Sequence, residues 1–434
     1  MRSKRNTHTG ILIGSLMATL SICALSHSAS SGAQGYVDAK ELRELIVGNT
    51  IHSQDLQRGY ATKAFVDPSG KFLFEISGSI VNGTWRIRED GAFCVAIAGE
   101  SCSRVQKVGD GTYSRIADGV AKAKWLKITP GNALSITAPP GETVSFQSVT
   151  YSVASSFLIP LPKEGQPVTL NGFLALPPGV GPVPAVILMH GCVGISGTEI
   201  GWATMLNGLG VATFVVDSFG RHGVAGTCTE KERLHSASSM ADAYGALDLL
   251  AANPQIDAAR IAIIGFSMGG RTALWTSQLR FQKHFAKGAA RFVAHLAFYP
   301  AGCITRLADE ERIGDVPIRI FHGAADDWTP VGPCKAYVER LRKAGKDASL
   351  IEYADAHHSF DTPGIPLRSL PNAVNSRNCA FVEEDGRIVD AATRGSISFS
   401  PCWSRGVSVG YNADAHRKAV KDVEATFRTL FGLK

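Results

Sequence analysis

The sequence has few of the features that mark membrane, zinc or nucleic-acid-binding proteins. Beyond residues 1–33, no apolar run approaches the roughly 20 residues that a membrane-spanning helix needs, so we expect no span after their removal. No Cys-x-x-Cys pair occurs, which argues against zinc and thioredoxin-like redox chemistry. Residues 1–33 carry three basic and no acidic side chains, so without them the formal charge falls from +6 to +3. So small an excess indicates no nucleic-acid partner.

The first residues have the three parts of a secretory signal peptide. Arg2, Lys4 and Arg5 precede an apolar run over residues 11–25, and small residues follow the run. The run is short for a membrane anchor, and the small residues that a signal peptidase reads fit cleavage after Ala33. We therefore expect a secreted or periplasmic protein, with an uncleaved amino-terminal anchor as the alternative.

Eight cysteines remain once Cys23 is removed with the signal peptide. An even number in an exported chain indicates disulfides, and their order along the chain favours pairing between successive cysteines. The pair Cys94 and Cys102 has the best support, because both lie in one short segment with a turn at Gly99. The eight are Cys94, Cys102, Cys192, Cys228, Cys303, Cys334, Cys379 and Cys402.

Two regions of different pattern follow the signal peptide. Residues 36–145 show one short helix and then many short alternating strands separated by turn residues, which predicts a small, mainly β domain whose role stays open. Residues 147–434 contain buried strands that are apolar on both faces and alternate with helices. That pattern predicts an α/β domain with a mostly parallel, doubly wound sheet. Its strands include PAVILMHG, VATFVVDSF, IAIIGF, FVAHLAFYP, IRIFHG and ASLIEY.

Ser267 lies in the segment Gly-Phe-Ser-Met-Gly, between a buried strand and a helix. A serine at such a junction is held in a strained turn with its hydroxyl exposed, and the flanking Gly265 and Gly269 avoid collisions within that turn. Ser408 fits the same Gly-x-Ser-x-Gly pattern but follows no buried strand, so we expect it in a loop or an edge strand. We therefore predict that Ser267 is a nucleophile.

A serine nucleophile needs a base, and the base needs an orienting acid. Asp326 follows the strand IRIFHG and precedes Thr-Pro, which favours it over Asp327 as the acid. His358 follows the strand ASLIEY and is favoured over His357 because a small residue and a phenylalanine come next. The order Ser, Asp, His is that of the α/β-hydrolase fold.

Two backbone amides complete the predicted site. In this fold one oxyanion-binding amide comes from the residue after the nucleophile, here Met268, and the other from the loop after an earlier strand. The segment HGCVG places Cys192 in that loop, and we interpret His190 as a structural residue. We expect no metal or cofactor. A metal site made of Asp355, His357, His358 and Asp361 is a weaker alternative, since adjacent residues cannot easily share one tetrahedral ion.

Five segments, taken in order, resemble the dienelactone hydrolase family of α/β-hydrolases: LMHGCVG, VDSFGRHG, RIAIIGFSMGG, FHGAADDWTP and AHHSFD. The resemblance implies a Ser267–Asp326–His358 triad and ester chemistry. Dienelactone hydrolases proper have a cysteine where Ser267 stands, and a glutamate beside the first loop that HGCVG lacks.

Two segments are expected to form pocket walls or a lid, because long connections beside catalytic elements often do. They are residues 217–228 and the insertion at about 363–411. We name Trp202, Phe219, Arg221 and Trp328 as candidate pocket residues, and Arg221 could hold an acidic substrate if it faces the cavity.

The sequence thus predicts an exported serine hydrolase that cleaves small-molecule carboxylic esters or lactones through an acyl-enzyme. One alternative is a peptide or amide hydrolase with the same triad. The other is a catalytically inert protein that binds a ligand of the cell envelope. The sequence makes no prediction about the oligomeric state.

Overall fold

A computed structural model describes residues 35–56, 61–76, 79–96, 100–132, 134, 139–151, 165–179, 181–224, 226–229, 234–397 and 400–433. The contacts divide the chain after Gly35, and the second unit, Tyr36–Lys434, contains all but one of the described residues. The predicted signal peptide lies outside the described residues. Within the described ranges, no helix combines the length and the apolar composition that crossing a membrane requires.

The amino-terminal part of the second unit is a helix followed by a closed barrel of eight antiparallel strands. The prediction of a mainly β region is confirmed, and the barrel closes because β1 pairs with both β2 and β8. The elements are α1 (Ala39–Ile46), β1 (Asn49–Asp55), β2 (Ala61–Val66), β3 (Lys71–Ile76), β4 (Ser79–Ile87), β5 (Phe93–Ala96), β6 (Glu100–Gly109), β7 (Thr112–Ala117) and β8 (Val120–Pro130).

Side chains fill the barrel interior. Alternate residues of each strand point to the same face, so apolar residues at every second position meet inside. The ring of Trp125 is in contact with the rings of Phe93 and Tyr113, with centroid separations of 6.1 and 6.2 Å. Ile51 and Val105 are buried in the same cluster. The interior is therefore a packed core.

The remaining elements build an eight-stranded sheet, its covering helices and an insertion. In chain order they are β9 (Glu142–Thr150), β10 (Gln166–Ala175), β11 (Val183–Met189), α2 (Gly197–Gly208), β12 (Ala212–Asp217), α3 (Ser236–Ala251), β13 (Ile256–Phe266), α4 (Met268–Trp275), α5 (Leu279–Phe285), β14 (Phe292–Phe298), β15 (Thr305–Arg306), β16 (Ile318–Gly323), α6 (Val331–Lys343), β17 (Ala348–Tyr353), β18 (Arg368–Asn375), β19 (Phe381–Glu384), β20 (Arg387–Asp390), β21 (Ser404–Val409) and α7 (Ala413–Phe431).

The sheet has the strand order β17-β16-β14-β13-β11-β12-β10-β9, and its first six strands are parallel. β10 runs antiparallel to β12 and to β9. The domain boundary that the sequence suggests, between residues 145 and 147, falls inside β9. In the structure the change from barrel to sheet takes place earlier, between Pro130 and Glu142. The predicted mostly parallel sheet is present.

Two apolar clusters cover the two faces of the sheet. One cluster contains Met240 and Tyr244 of α3 together with Leu341 of α6. The other contains Trp202 of α2 and Phe427 of α7. Because both faces are covered, the parallel strands are apolar at nearly every position, which explains the continuous runs in the sequence.

Local sequence accounts for where the helices beside the sheet begin and end. Ser196 and Glu199 form a capping box at the start of α2. The side chain of Asn412 accepts hydrogen bonds from two amides at the start of α7, and Gly432 ends that helix with φ +64°.

The insertion, residues 363–411, is called the cap below. In it, β18 pairs with β21, while β19 and β20 form a three-stranded sheet with β15. Ser408 lies in β21, an edge position that agrees with the expectation for it.

The eight cysteines of the described ranges form disulfides between successive cysteines, as their order predicts. Cys94–Cys102 joins two barrel strands, and Cys379–Cys402 closes a loop within the cap. Cys192–Cys228 joins two loops of the α/β part, and Cys303–Cys334 joins a third loop to α6.

Candidate active site

Ser267 occupies the turn between β13 and α4, as the sequence predicts. Its backbone has φ +53° and ψ −107°, and its amide donates a hydrogen bond of 2.9 Å to the carbonyl of Phe298. A residue other than glycine in such a conformation costs about 1–3 kcal/mol and persists only when its surroundings enforce it. The turn therefore holds the serine in a defined orientation.

The glycines on either side of Ser267 are required by close backbone contacts. A Cβ atom at Gly265 would lie 2.1 Å from the carbonyl oxygen of Gly269. A Cβ atom at Gly269 would lie 2.1 Å from the carbonyl oxygen of Met189, at the end of β11. The strand, the turn and the helix thus pack too closely for any side chain at these two positions.

Asp326 and His358 are joined directly. Asp326 follows β16, His358 follows β17, and the distance from His358 Nδ1 to Asp326 Oδ2 is 2.8 Å. Both side chains are almost fully buried. The other carboxylate oxygen of Asp326 accepts hydrogen bonds from the amides of Trp328 and Thr329, at 2.8 and 2.9 Å.

This environment keeps the Asp326 carboxylate ionised. Burial raises its pKa, but the charge and hydrogen bond of His358 and the amide of Thr329 act in the opposite direction. The net result is a pKa below the ordinary value of 3.8. An ionised carboxylate at this position can orient an imidazole and stabilise its positive charge.

Two aromatic rings pack against the His358 imidazole. The ring of Tyr299 lies 4.5 Å from it and that of Trp328 lies 4.8 Å from it, between centroids. Tyr299 is fixed in turn by a 2.7 Å hydrogen bond from its hydroxyl to Asp361. His357 makes no such pair with Asp326 and is only partly buried.

Ser267 lines a cavity of about 170 Å³ beside this pair. Thr329 lines the same cavity, and its hydroxyl oxygen lies 3.0 Å from Asp326 Oδ2 and 3.2 Å from His358 Nδ1. The cavity, Ser267 and the Asp326–His358 pair therefore lie in one region, beyond the carboxyl ends of parallel strands, where sheets of this type place their ligands.

Cys192 and Met268 line the cavity with Ser267. Within the described part of the chain, neither of their amides donates a hydrogen bond to another protein group, which leaves both N–H groups for an oxygen of a bound molecule. Cys192 is held by its disulfide to Cys228 and by a 2.9 Å hydrogen bond from the Thr227 amide to its carbonyl.

His190 has a structural role. Its Nδ1 lies 2.8 Å from the carbonyl oxygen of Gly191, and its Nε2 accepts a hydrogen bond from the Ser218 amide. Burial lowers the pKa of His190. These contacts hold together the two loops that follow β11 and β12.

Of the four candidate pocket residues, only Trp328 lies in the lining of this cavity. Trp202 is buried in the core, where its indole N–H donates to Asp361. Phe219 packs on His190, with ring centroids 4.4 Å apart, and Arg221 is exposed. An aromatic residue looks the same in the sequence whether it faces a core or a cavity, so the sequence could not separate Trp202 and Phe219 from Trp328.

The structure adds lining residues that the sequence did not identify. Arg271 lies one helical turn after Ser267, a spacing of four that could have revealed it. The described lining contains no other arginine and no lysine, aspartate or glutamate. Apolar side chains dominate it: Leu234, Trp275, Ile304, Trp328, Phe381, Ile388, Ile397 and Trp403.

Potential metal ligands converge at one place among the described residues, namely Cys94, Glu100 and Cys102. The two sulfur atoms form a disulfide there, so they cannot act as thiolate ligands. Two residues of the alternative metal site considered above have protein partners instead. His358 is hydrogen-bonded to Asp326, and Asp361 accepts hydrogen bonds from Tyr299 and Trp202.

Comparison with known proteins identifies similar sequences and structures. The model of the dienelactone hydrolase family matches residues 170–431, more than half of the chain. A Methylorubrum extorquens protein named for carboxymethylenebutenolidase activity is 24% identical over 243 residues, which cover 54% of this chain and 81% of that protein.

Two solved structures illustrate the structural similarity. A dienelactone hydrolase-like promiscuous phosphotriesterase from metagenomic libraries has a TM-score of 0.42 at 20% identity, covering 67% of this chain and all of that one. A thermophilic esterase of Thermogutta terrifontis has a TM-score of 0.36 at 19% identity, covering 45% of this chain and 80% of that one.

Proposed function

The chain belongs to the dienelactone hydrolase family, and on that basis we propose that it is an exported serine hydrolase that cleaves carboxylic esters or lactones through an acyl-enzyme on Ser267. The observation that carries the proposal is the 2.8 Å hydrogen bond between His358 and Asp326, beside a cavity that Ser267 lines. Export rests on the basic, apolar and small-residue segments of the first 33 residues.

In the proposed mechanism, Ser267 Oγ attacks the carbonyl carbon of the substrate while His358 Nε2 accepts the serine proton. Asp326 holds the Nδ1–H of His358 and stabilises the imidazolium that forms. His358 then gives the proton to the leaving alcohol. A water molecule, activated by His358 in the same way, releases the acyl group.

The amides of Cys192 and Met268 bind the negative oxygen of each tetrahedral intermediate. Each such donor typically contributes about 2.7–4 kcal/mol to transition-state stabilisation. The disulfide at Cys192 supports this role, because it restrains the loop whose amide must already be in place when the charge develops. Apart from the substrate and water, these steps use side chains and amides of this chain.

Covalent labelling tests the proposal directly. A fluorophosphonate probe is expected to label the wild-type protein at Ser267, because an activated serine attacks phosphorus as it attacks a carbonyl carbon. Ser408→Ala should label like the wild type, and Ser267→Ala should not label, as judged by intact mass and peptide mapping. A correctly folded wild-type protein that takes up no probe would favour the inert ligand-binding alternative.

The cavity lining predicts a preference for esters with an apolar group and an acidic group. Arg271 supplies the charge, and hydrogen bonds to charged groups contribute about 1.5–3 kcal/mol. We expect Arg271→Met to raise KM about tenfold or more for an aromatic ester that bears a free carboxylate. KM for the uncharged methyl ester of the same compound should change little. Equal losses for both substrates would assign Arg271 a structural role instead.

A further inference from the structure

Asp327, the residue beside the proposed acid, binds the cap. Its Oδ1 accepts a 2.7 Å hydrogen bond from the backbone amide of Ser408 in β21. Its Oδ2 lies 3.6 Å from a guanidinium nitrogen of Arg377, also in the cap. Asp327, which the sequence disfavours as the acid, therefore binds the backbone of Ser408, which the sequence disfavours as the nucleophile.

The next residue, Trp328, makes a second connection between the same loop and the cap. Its indole N–H donates a 3.0 Å hydrogen bond to the carbonyl of Val374 in β18. Its ring packs against the imidazole of His358 and lines the cavity. Three successive residues, 326 to 328, thus contact His358, β21 and β18.

The backbone of His358 is also attached to the cap. The amide of Gly410 donates a 3.1 Å hydrogen bond to the carbonyl of His358, next to a bridge between His358 and Val409. The segment from Val409 to Gly410 is therefore attached to the backbone of His358 independently of Asp327.

The cap also forms one wall of the cavity. Its lining residues are Val374, Asn375, Ser376, Phe381, Ile388, Ile397 and Trp403. The position of the cap relative to the loop of residues 326–328 thus sets the space available beside Ser267.

We propose that Asp327 is a positioning residue that fixes the cap against the loop carrying Asp326, and that it thereby determines specificity for esters with bulky apolar groups. The specificity part rests on the proposed hydrolase function. The attachment of the cap is a structural property that can be measured without turnover.

The role needs a hydrogen-bond acceptor more than a charge. The contact with Arg377 is long and its two side chains are 31% and 37% exposed, so solvent weakens it. The amide of Ser408, by contrast, loses its partner when the acceptor is removed. Asparagine keeps an acceptor oxygen at the same place, whereas alanine does not.

The experiment compares Asp327→Ala, Asp327→Asn and Asp326→Asn in the full-length protein, with the exposed surface variant Asp315→Ala as control. Amide hydrogen exchange of residues 404–410 measures attachment of the cap. Values of kcat and KM for p-nitrophenyl acetate and for a p-nitrophenyl ester of a bulky aromatic acid measure specificity.

We expect Asp327→Ala to accelerate exchange in residues 404–410 about tenfold and to lower kcat/KM for the bulky ester by a similar factor. The acetate should lose less than about threefold, because it does not reach the cap wall. Asp327→Asn and Asp315→Ala should behave like the wild type. Ser408→Pro removes the same hydrogen bond from the donor side, so we expect the same changes in exchange and in kcat/KM. It replaces Asp327→Ala in the comparison if Asp327→Ala folds poorly.

Three outcomes would overturn the proposal. Exchange in residues 404–410 that is unchanged in Asp327→Ala would show that the contact does not hold the cap. Equal acceleration of exchange in Asp327→Asn and Asp327→Ala would show that the charge of Asp327 holds the cap and that its hydrogen bond to the Ser408 amide does not. A large kcat loss on every ester in Asp327→Asn, with Asp326→Asn unaffected, would make Asp327 the catalytic acid.

Failure of the proposed function gives a different result. A wild type without esterase activity would remove the specificity part of the proposal together with that function. Accelerated exchange in Asp327→Ala would still support attachment of the cap.

Discussion

Replacing Ser267 with alanine is expected to lower kcat for short p-nitrophenyl esters by about 10⁴- to 10⁶-fold, because the proposed covalent intermediate can no longer form. The loss should fall on kcat more than on KM, since the cavity and the two amides remain. Steady-state rates at neutral pH, with active enzyme counted by fluorophosphonate titration of the wild type, measure the effect.

The matched control is Ser408→Ala, which changes the other serine in a Gly-x-Ser-x-Gly segment. Only its backbone amide contacts Asp327, so removal of its hydroxyl should leave kcat within about twofold of the wild type, as for most substitutions away from a site. Undiminished turnover by Ser267→Ala would defeat the proposed mechanism.

Asp326→Asn is expected to lower kcat by about 10³- to 10⁴-fold near neutral pH. The amide keeps the size of the side chain, but it carries no charge to stabilise the imidazolium and can hold His358 in the wrong tautomer. The comparison with Asp327→Asn, one residue away and expected to be nearly silent, separates loss of the acid from general disturbance of the loop. Similar kcat values for the two variants would contradict the assignment.

The lowered pKa of Asp326 also fixes how its contribution to stability depends on pH. The folded-state pKa lies below the ordinary value of 3.8, so the carboxylate stabilises the fold above that pH, and this contribution is lost as the pH falls through the folded value. Melting curves of the wild type and Asp326→Asn should therefore converge as the solution is acidified below about pH 4. A constant difference in Tm down to pH 2 would contradict this.

Local patterns predicted the parts of the molecule that depend on neighbouring residues. The apolar strand before Ser267 and the glycines around it mark a strand–turn–helix unit, because the collisions that require those glycines arise within a few residues or at the adjacent β11. The order of the cysteines likewise predicted four disulfides whose partners are at most 36 residues apart in the chain.

Contacts between distant segments were not predictable in the same way. The length of the insertion indicated a pocket wall. The hydrogen bond between Asp327 and Ser408, however, joins residues 81 positions apart, and such a contact leaves no periodic pattern in the sequence. Trp202 and Trp328 illustrate the same difficulty. Both donate through the indole nitrogen, one to a buried carboxylate in the core and the other to a cap carbonyl beside the cavity.

The closed barrel limits how the amino-terminal part of the protein can recognise another molecule. Because β1 and β8 pair with each other, no terminal strand is left to accept an added strand from a partner. Among the described side chains, those such as Phe93 and Trp125 pack in the interior, so they leave no ligand space there of the kind found in a lipocalin. Recognition there must depend on outward-facing side chains and loops, and surface substitutions can alter it without weakening the barrel.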